Sequence, residues 1–349
     1  MSSSFPMADV SYIFNNKKMI SKILAAGIFV LASLMVNAQK KQTIGKITSL
    51  DPMFYTLIDS NATIEVLADG FQWSEGPVWI KKGNYLLFSD VKRNTIFKWK
   101  EGEGEGATPY FQPSGYTGSG KYSDEPGSNG LILNSNEELV ACEHGDRRVS
   151  AMSLKTKAKR TLVDGYKGKK FNSPNDIVQK INGDYYFTDP PYGLPTQKTT
   201  GVLGVYRLSK KGVVTLLIDD ITPNGLAFSP DEKVLYVNQS LPDKAYIYAY
   251  DVKEDGTIGN RKLFYDASPL VEQGLPGLPD GLKIDKNGII FSTGPGGVLV
   301  LTPQGKLLGR IDTFQPTANC AWGNDGSVLY ITANNFLCRI QTKTKGVGF

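Results

Sequence analysis

The sequence of 349 residues predicts an all-β fold: a six-bladed β-propeller with four-stranded antiparallel blades, whose ring is closed by an N-terminal strand. The first observation is a repeated unit, in which a polar residue precedes a short apolar strand, a tight turn and a second strand. The unit occurs six times, and its copies start 39 to 56 positions apart, a spacing typical of stacked blades. No helical periodicity of useful length competes with this pattern.

Each copy begins with a polar residue at one equivalent position. In the clearest copy, residues 171–193, Asn175 precedes a strand, a turn at Asn182 and Gly183, and a second strand that ends at Asp189. An Asn-Gly pair between apolar runs is a strong hairpin signal. Aligning the copies gives six equivalent polar residues: Glu75, Asn129, Asn175, Asn224, Asp280 and Asn319.

Further strands follow the hairpin in each copy. The predicted third strands cover residues 95–99, 148–154, 202–208, 245–251, 298–301 and 336–340. The predicted fourth strands cover residues 161–163, 213–218, 262–265 and 307–312. The last copy has no fourth strand of its own, whereas residues 64–68 resemble one. We expect residues 64–68 to pair with the last blade, because ring closure removes an open sheet edge. A tandem of two β domains is the alternative.

The N-terminus is predicted to be a secretory signal peptide. Lys17, Lys18 and Lys22 precede an apolar run over residues 23–36, and small residues end at Ala38. The run is short for a membrane span, although an uncleaved anchor stays open as an alternative. We therefore expect export to the periplasm or the medium, with no stable membrane span after cleavage.

The predicted domain organisation has three parts. Residues 1–38 are the signal peptide, with Met19 as a possible start. Residues 39–62 form a lead-in segment without strong periodicity, and residues 63–349 form the propeller domain. Two connections, residues 101–128 and 266–278, are longer than a blade needs, and such loops are often functional. We expect them to act as partial lids over the axis.

Composition argues against nucleic acid as a partner and leaves open whether two of the cysteines form a bridge. The net charge is +5, and the basic residues are scattered among acids, which argues against nucleic acid binding. Of the three cysteines, Cys320 and Cys338 lie in one repeat. They are expected to be buried hydrophobic residues, although an oxidising compartment would permit a bridge between them.

The six equivalent polar residues are expected to meet at the propeller axis, because the first strand of every blade lines the central channel. They comprise one Glu, one Asp and four Asn. Carboxylate and amide oxygens are hard ligands that suit Ca²⁺. A single Asn-Gly pair is explained by turn chemistry alone. Turn chemistry does not explain why Glu75 and Asp280 occupy the same position.

The repeats also carry a family resemblance over about residues 63–340. Its motifs are SEGPVW, NSPNDIV with YFTDPPYG, TPNGLAFSPDE, LPDGLKID with STGPGGV, and CEHGDRRV. They resemble the calcium-dependent gluconolactonase/regucalcin (senescence marker protein) family of sugar lactonases, and are most similar to its bacterial gluconolactonases. Regucalcin-like members place an Arg two residues before the second ligand, where this chain has Ser173.

The resemblance implies a metal site with four ligands. These are Glu75 of the EGP motif, Asn175 of PND, Asn224 of PNG and Asp280 of PDG. The implied cofactor is Ca²⁺, with other divalent cations as an option. Asn129 and Asn319 are not ligands in that family, so we expect them to hold neighbouring groups or water.

Several residues are candidates for catalysis or substrate binding. Asp280 is the candidate general base, because a metal-bound carboxylate can still accept a proton with its free oxygen. His144 is a candidate acid or base, with a structural role as the alternative. The candidate substrate-binding residues are Asn129, Asn175, Arg147 and Tyr192.

The sequence thus predicts a calcium-dependent hydrolase that opens a sugar lactone of the gluconolactone type to the aldonic acid. Ca²⁺ would polarise the carbonyl and orient water. Two alternatives stay open, because fold alone does not decide function. One is a phosphotriester hydrolase that uses the same site, and the other is a non-catalytic propeller that contains calcium.

Overall fold

Six antiparallel sheets form the six predicted blades, numbered I to VI from the N-terminus. This computed structural model describes residues 1–2, 42–104, 106–196 and 201–349. Residues 3–38 of the predicted signal peptide therefore lie outside the described residues. Within the described part, the chain forms one compact unit from Gln42 to Phe349.

Four short elements precede the first blade: β1 (Thr43–Ile44), β2 (Lys46–Ser49), the helix α1 (Phe54–Leu57) and β3 (Ile64–Ala68). Blade I contains β4 (Ser74–Ile80), β5 (Tyr85–Asp90), β6 (Thr95–Trp99) and β7 (Thr108–Phe111). Blade II contains β8 (Ser128–Leu133), β9 (Glu138–Glu143), β10 (Arg148–Ser153) and β11 (Lys159–Val163). A separate hairpin follows it, formed by β12 (Gly165–Tyr166) and β13 (Lys169–Lys170).

The remaining blades follow the same order. Blade III contains β14 (Ile177–Gln179), β15 (Tyr185–Asp189), β16 (Gly204–Leu208) and β17 (Val214–Ile218). Blade IV contains β18 (Pro223–Phe228), β19 (Val234–Leu241), β20 (Lys244–Val252) and β21 (Ile258–Asp266), and the helix α2 (Ser268–Glu272) follows it. Blade V contains β22 (Leu282–Ile284), β23 (Ile290–Gly294), β24 (Gly297–Leu301) and β25 (Leu307–Asp312). Blade VI contains β26 (Thr317–Gly323), β27 (Val328–Ala333) and β28 (Phe336–Gln341).

Ring closure by the N-terminal strand is confirmed. Strand β3 supplies the fourth strand of blade VI by pairing with β28, with Val66 opposite Cys338. The Nε atom of Arg339 donates to the Glu65 carboxylate at 2.8 Å beside this pairing. Strands β1 and β2 then cover the outer edges of blades VI and V, so these edges are not left free to pair with another chain.

The two long connections contain regular structure that the sequence did not predict. Strand β7 lies inside residues 101–128 and completes blade I, so the true connection is residues 112–127. Its short sequence, TPYF, contains a proline and two exposed residues, which weakens any alternating pattern. The connection at residues 266–278 contains helix α2.

Hydrophobic cores lie between neighbouring blades, and six clusters account for the six interfaces. Successive residues of a strand point to opposite faces of the sheet. On β5, Leu86 therefore packs in the cluster that holds Tyr330 of blade VI, and Leu87 packs in the cluster that holds Leu131 of blade II. Each blade is thus held from both sides.

The three cysteines form no disulfide bridge. Cys142, Cys320 and Cys338 are buried and free. Cys320 and Cys338 both lie opposite Ile331, on the two strands that flank β27, so they are too far apart to form a bridge.

In the described part of the chain, no helix has the length and apolar character needed to cross a membrane.

Candidate active site at the propeller axis

The four predicted metal ligands meet in one cavity of about 210 Å³ at the axis. The equivalent residues of blades I to V line it together with three residues of connecting segments: Glu75, Asn129, Asn175, Asn224 and Asp280, and then Trp73, Glu125 and Tyr192. Three of the four predicted ligands are almost fully buried, whereas Asp280 stays half-buried. Asp280 is therefore the predicted ligand with the most accessible side chain.

Local irregularities in the innermost strands aim these side chains at the axis. The register between β4 and β5 shifts between Glu75 and Val78, and the register between β18 and β19 shifts between Pro223 and Leu226. Such a bulge leaves residues without a ladder partner and re-aims their side chains. Asn224 is one of the residues without a ladder partner, and Glu75, which still pairs with Ser89, lies where the bulge begins. Both residues line the cavity.

Glycine follows four of the six equivalent residues because neighbouring blades touch there. A β-carbon at Gly225 would lie 2.2 Å from the carbonyl oxygen of Asp280, and one at Gly130 would lie 2.7 Å from that of Asn175. Only glycine permits this approach of backbone to backbone. The Asn-Gly pairs that look like turn signals in sequence therefore close the inner ring.

A chain of amide hydrogen bonds orders the asparagines. Asn129 Nδ2 donates to Asn175 Oδ1 at 2.7 Å, and Asn175 Nδ2 donates to Asn224 Oδ1 at 2.6 Å. Asn224 Nδ2 in turn donates to Ser240 Oγ at 3.0 Å, and Ser240 donates to the Pro279 carbonyl. Each amide is thus fixed in orientation, and Asn129 Oδ1 is left as a buried acceptor without a partner.

The two carboxylates of the ring repel each other. Burial raises the pKa of Glu75, and the nearby Asp176 carboxylate raises it further. Burial also raises the pKa of Asp280 well above its ordinary value, with the charge of Glu75 as the next cause. A divalent cation between them would reverse both shifts, because an opposite charge favours the ionised form.

The donor set fits calcium. Glu75 and Asp280 supply carboxylate oxygens, and Asn175 and Asn224 supply amide oxygens, which are the hard ligands that Ca²⁺ prefers. Among the described residues, no group of three or more His, Cys, Asp or Glu side chains lies at metal-binding distances. Two of the four predicted ligands are amides, and a set of carboxylate and amide oxygens suits calcium better than zinc or copper.

Asn319 occupies the equivalent position in blade VI but does not line the cavity. Its Nδ2 atom lies 3.4 Å from Asp176 Oδ2, and its Oδ1 atom accepts from Lys283 Nζ at 3.3 Å. Its side chain also hydrogen-bonds to the Glu75 carboxylate. Asn319 thus links a buried carboxylate and an ammonium group, in line with the expectation that it holds neighbouring groups.

His144 is fully buried and lies outside the cavity lining. Its Nδ1 atom is 3.2 Å from the Glu125 carbonyl, and its Nε2 atom is 3.2 Å from Asn175 Oδ1. Burial lowers the pKa of His144 to about 4, although both contacts favour the protonated ring. The ring is therefore neutral at neutral pH, and it supports Asn175 and the segment that carries Glu125. Its catalytic role stays a prediction.

The other predicted substrate-binding residues divide into two groups. Asn129 and Tyr192 line the cavity, and Asn129 Oδ1 and the Tyr192 hydroxyl are both buried without a hydrogen-bond partner of good geometry. Such groups can bind a polar ligand. Arg147 lies outside the lining, and its Nε atom donates to the Phe171 carbonyl at 2.6 Å. Its contact with substrate also stays a prediction.

Glu125 is the one cavity carboxylate that sequence reasoning missed. It lies in the 112–127 connection, outside every repeat, so no alignment of the six copies could identify it. The length of that connection was the only available signal. The connection is firmly attached to the fold, because Asn94 Oδ1 accepts from the backbone N–H groups of Ser114, Gly115 and Tyr116.

Comparison with known proteins identifies the family of this chain. A family model described as "SMP-30/Gluconolactonase/LRE-like region" matches residues 73–335. The chain is 40% identical to a gluconolactonase of Zymomonas mobilis over 322 residues, which cover 89% of this chain and 90% of the relative. A solved gluconolactonase structure from Xanthomonas campestris has a TM-score of 0.75 and 29% identity, covering 88% of this chain and 99% of that one.

A more distant structure supports the fold alone. A calcium-binding protein, regucalcin, from Agrobacterium tumefaciens has a TM-score of 0.65 at 18% identity, covering 81% of this chain and 94% of that one. The family model and the 40% identical relative cover most of the chain. The chain therefore belongs to the SMP-30/gluconolactonase/LRE-like family.

Proposed function

We propose that this protein hydrolyses a sugar lactone of the gluconolactone type to the aldonic acid, with a calcium ion held by Glu75, Asn175, Asn224 and Asp280. The chain is a hydrolase that acts on carboxylic esters, as its lactone-hydrolysing relatives are. The observation that carries the proposal is the convergence of two carboxylates and two amides from four blades in one cavity.

The chemistry of ester hydrolysis assigns roles to these residues. Calcium, when bound there, would polarise the lactone carbonyl and stabilise the oxyanion. The half-buried Asp280 accepts a proton from the water whose oxygen forms a bond to the carbonyl carbon. The ring C–O bond then breaks, and the leaving oxygen takes a proton to become the hydroxyl of the aldonic acid.

The cavity also offers groups that recognise a polyol. Asn129 Oδ1 is an unpartnered acceptor, and the Tyr192 hydroxyl, whose one hydrogen-bonding neighbour is Ser240 at poor geometry, can both donate and accept. Substrate hydroxyls and the ring oxygen would satisfy both groups. Trp73 lines the same cavity and offers an apolar face to the sugar ring, a common feature of ligand sites.

A panel of sugar lactones, with a phosphotriester as the contrasting substrate, tests the proposal. We expect lactone hydrolysis with calcium and its loss after exhaustive chelation, restored by added calcium. Asp280→Asn should lower kcat by about a hundredfold or more. Full activity after chelation, or near-normal turnover of calcium-loaded Asp280→Asn, would contradict the mechanism. Phosphotriester turnover alone would point to the other hydrolase class.

We further propose that the protein is exported to the periplasm or the medium, on the strength of the signal-like segment at residues 17–38. Mass spectrometry of the mature protein should give an N-terminus near Gln39. A product in the cytoplasm that keeps residues 19–38 would contradict export.

A further inference from the structure

The charges that line the axial cavity do not balance. Three carboxylates face it, those of Glu75, Asp280 and Glu125. Among the described residues, no Lys, Arg or His lines the same cavity. A bound calcium ion would offset the charges of Glu75 and Asp280, and the charge of Glu125 would then remain.

The backbone fixes Glu125 at the rim of the cavity. Its carbonyl faces His144 Nδ1 at 3.2 Å, and its N–H donates to Ser123 Oγ at 3.2 Å. The next two residues are also held by blade II, because Gly145 N donates to the Pro126 carbonyl at 3.1 Å and His144 N donates to that of Gly127 at 3.1 Å. The Glu125 side chain therefore faces the cavity from a fixed backbone.

The surroundings leave this carboxylate without an ion-pair partner in the cavity. The cation with the largest effect on Glu125 is Lys92, which lowers its pKa, although burial outweighs that effect and raises the pKa overall. Lys92 is exposed and lies 5.9 Å from the Trp73 ring centroid, on the outside of the cavity. Asp124, the neighbour of Glu125, is exposed and paired with Lys121.

We propose that Glu125 selects substrates by charge. A neutral lactone can donate its hydroxyl groups to the Glu125 carboxylate, whereas a lactone that carries a carboxylate or phosphate group is repelled. The same repulsion favours release of the product, because hydrolysis converts a neutral lactone into an aldonate anion. This inference rests on the proposed lactonase function and names the substrate class of that site.

The expected size of the effect follows from electrostatics. Two like charges about 7 Å apart, at an effective dielectric constant of about 20, repel enough to change affinity by a factor of about fifty. Partial exposure to solvent and salt reduces this factor. We therefore expect discrimination of about tenfold to fiftyfold from this one side chain.

A matched pair of substrates tests the proposal. D-glucono-1,4-lactone and D-glucaro-1,4-lactone differ at C6, where the second carries a carboxylate in place of a hydroxymethyl group. With calcium at mildly alkaline pH, the wild-type ratio of kcat/KM should favour the neutral lactone by about tenfold or more. Glu125→Gln should reduce that ratio by about tenfold, and Glu125→Asp, which keeps the charge, should preserve it.

Product binding gives a second measurement that does not depend on turnover. Calorimetry with calcium-loaded protein should show that gluconate binds about tenfold more tightly to Glu125→Gln than to wild type. Asp124→Asn is the matched control and should change neither the substrate ratio nor gluconate binding. Thermal unfolding of each variant checks that the fold is intact.

The outcomes separate this proposal from the proposed function. An unchanged substrate ratio and unchanged gluconate affinity in Glu125→Gln would overturn charge selection while leaving lactone hydrolysis in place. Hydrolysis of neither lactone by wild type would refute the proposed function. In that case the comparison of gluconate binding still decides: equal affinities overturn charge selection, and tighter binding to Glu125→Gln supports it.

Discussion

Asn175 Nδ2 donates a hydrogen bond of 2.6 Å to Oδ1 of Asn224, across the boundary between blades III and IV. Asn319, at the equivalent position of blade VI, contacts Asp176 and Lys283 instead. Residues at one repeat position thus have two different environments. Repeat position alone therefore does not make a residue a candidate metal ligand.

Replacing Asn224 should therefore weaken calcium binding. Asn224→Ala removes one proposed ligand and also the acceptor of the Asn175 amide, so we expect the calcium dissociation constant to rise about tenfold to a hundredfold. Isothermal titration calorimetry measures the change directly.

Asn319→Ala is the matched control. It keeps all four proposed ligands but removes contacts of the buried Asp176 and Glu75 carboxylates, so unfolding should become easier by about 1–3 kcal/mol. Calcium affinity should fall less than in Asn224→Ala, because Asn319→Ala keeps every proposed ligand and removes only a hydrogen bond to one of them, Glu75. Equal loss of calcium affinity in both variants would contradict the assignment of four ligands.

Gly225 gives a test of the inner ring. A β-carbon at this position would lie 2.2 Å from the Asp280 carbonyl oxygen and 2.6 Å from Gly281 Cα. Gly225→Ala must therefore push blades IV and V apart, which should lower the free energy of unfolding by about 1–3 kcal/mol or more and displace Asp280. Urea unfolding measures the first effect, and calcium titration measures the second.

The same blade offers the control. At Gly259, on the outer strand β21, a β-carbon would meet its nearest neighbour at 3.5 Å, an ordinary contact. Gly259→Ala should change the free energy of unfolding by no more than about 0.5 kcal/mol. If both variants unfold alike, close approach at the axis is not what requires glycine.

These glycines also show why the sequence predicts the blades so well. Each blade is encoded locally, by alternating apolar residues and a turn, and six copies of that code define the ring and its axis. The repeated position identified six polar residues, and the family resemblance then indicated which four of them are the proposed ligands. Strand β7 and Glu125 were not predicted. Strand β7 has only four residues, one of them a proline and two of them exposed, so it shows no alternating pattern. Glu125 lies in a connection that only this part of the ring contains.

Roles that depend on packing were also hidden. The sequence placed His144 next to a strand end but could not show that both ring nitrogens face buried partners. The repeat pattern alone did not separate Asn319 from the proposed ligands, and only the family resemblance did; the structural difference lies in the neighbouring Asp176 and Lys283. Such distinctions depend on side chains from other blades, which no local pattern records.

The pKa of His144 predicts a pH dependence of stability. Burial lowers this pKa from 6.5 to about 4. Below pH 6.5 the imidazole is therefore protonated in the unfolded chain, whereas in the folded chain it stays neutral down to about pH 4. The contribution of the neutral His144 to the free energy of unfolding is fully present above pH 6.5 and is lost as the pH falls toward 4. It should amount to about 3 kcal/mol across that window.

The test compares urea unfolding of wild type and His144→Gln from neutral to acidic pH. His144 is the only histidine in the sequence, so no other imidazole titrates in this window. The difference in free energy of unfolding between the two proteins should change by about 1.4 kcal/mol per pH unit below 6.5. Parallel curves would show that His144 titrates normally in the folded state.

Asn94 should control the connection that carries Glu125. Its Oδ1 atom accepts from the N–H groups of Ser114, Gly115 and Tyr116 at 3.0, 2.7 and 3.1 Å, and its Nδ2 atom donates to the Tyr116 carbonyl at 2.8 Å. Asn94 has a positive φ of 53°. Asn94→Gly therefore removes the side-chain bonds without adding backbone strain.

We expect Asn94→Gly to release residues 112–127 from the fold. Ser114 Oγ also donates to Asn94 Oδ1 at 3.3 Å, so five hydrogen bonds are lost in all. Their loss should lower local stability by about 2–4 kcal/mol, so amide exchange at Ser114, Gly115 and Tyr116 should accelerate at least about tenfold. If Glu125 selects by charge, the preference for the neutral lactone should weaken at the same time.

Asn84→Gly is the matched control. It replaces an exposed asparagine of the same blade at φ 49° and should change neither amide exchange in residues 112–127 nor the preference for the neutral lactone. Asn94→Asp keeps the acceptor oxygen and should preserve most of the protection, and full protection in Asn94→Gly would show that other contacts hold the connection.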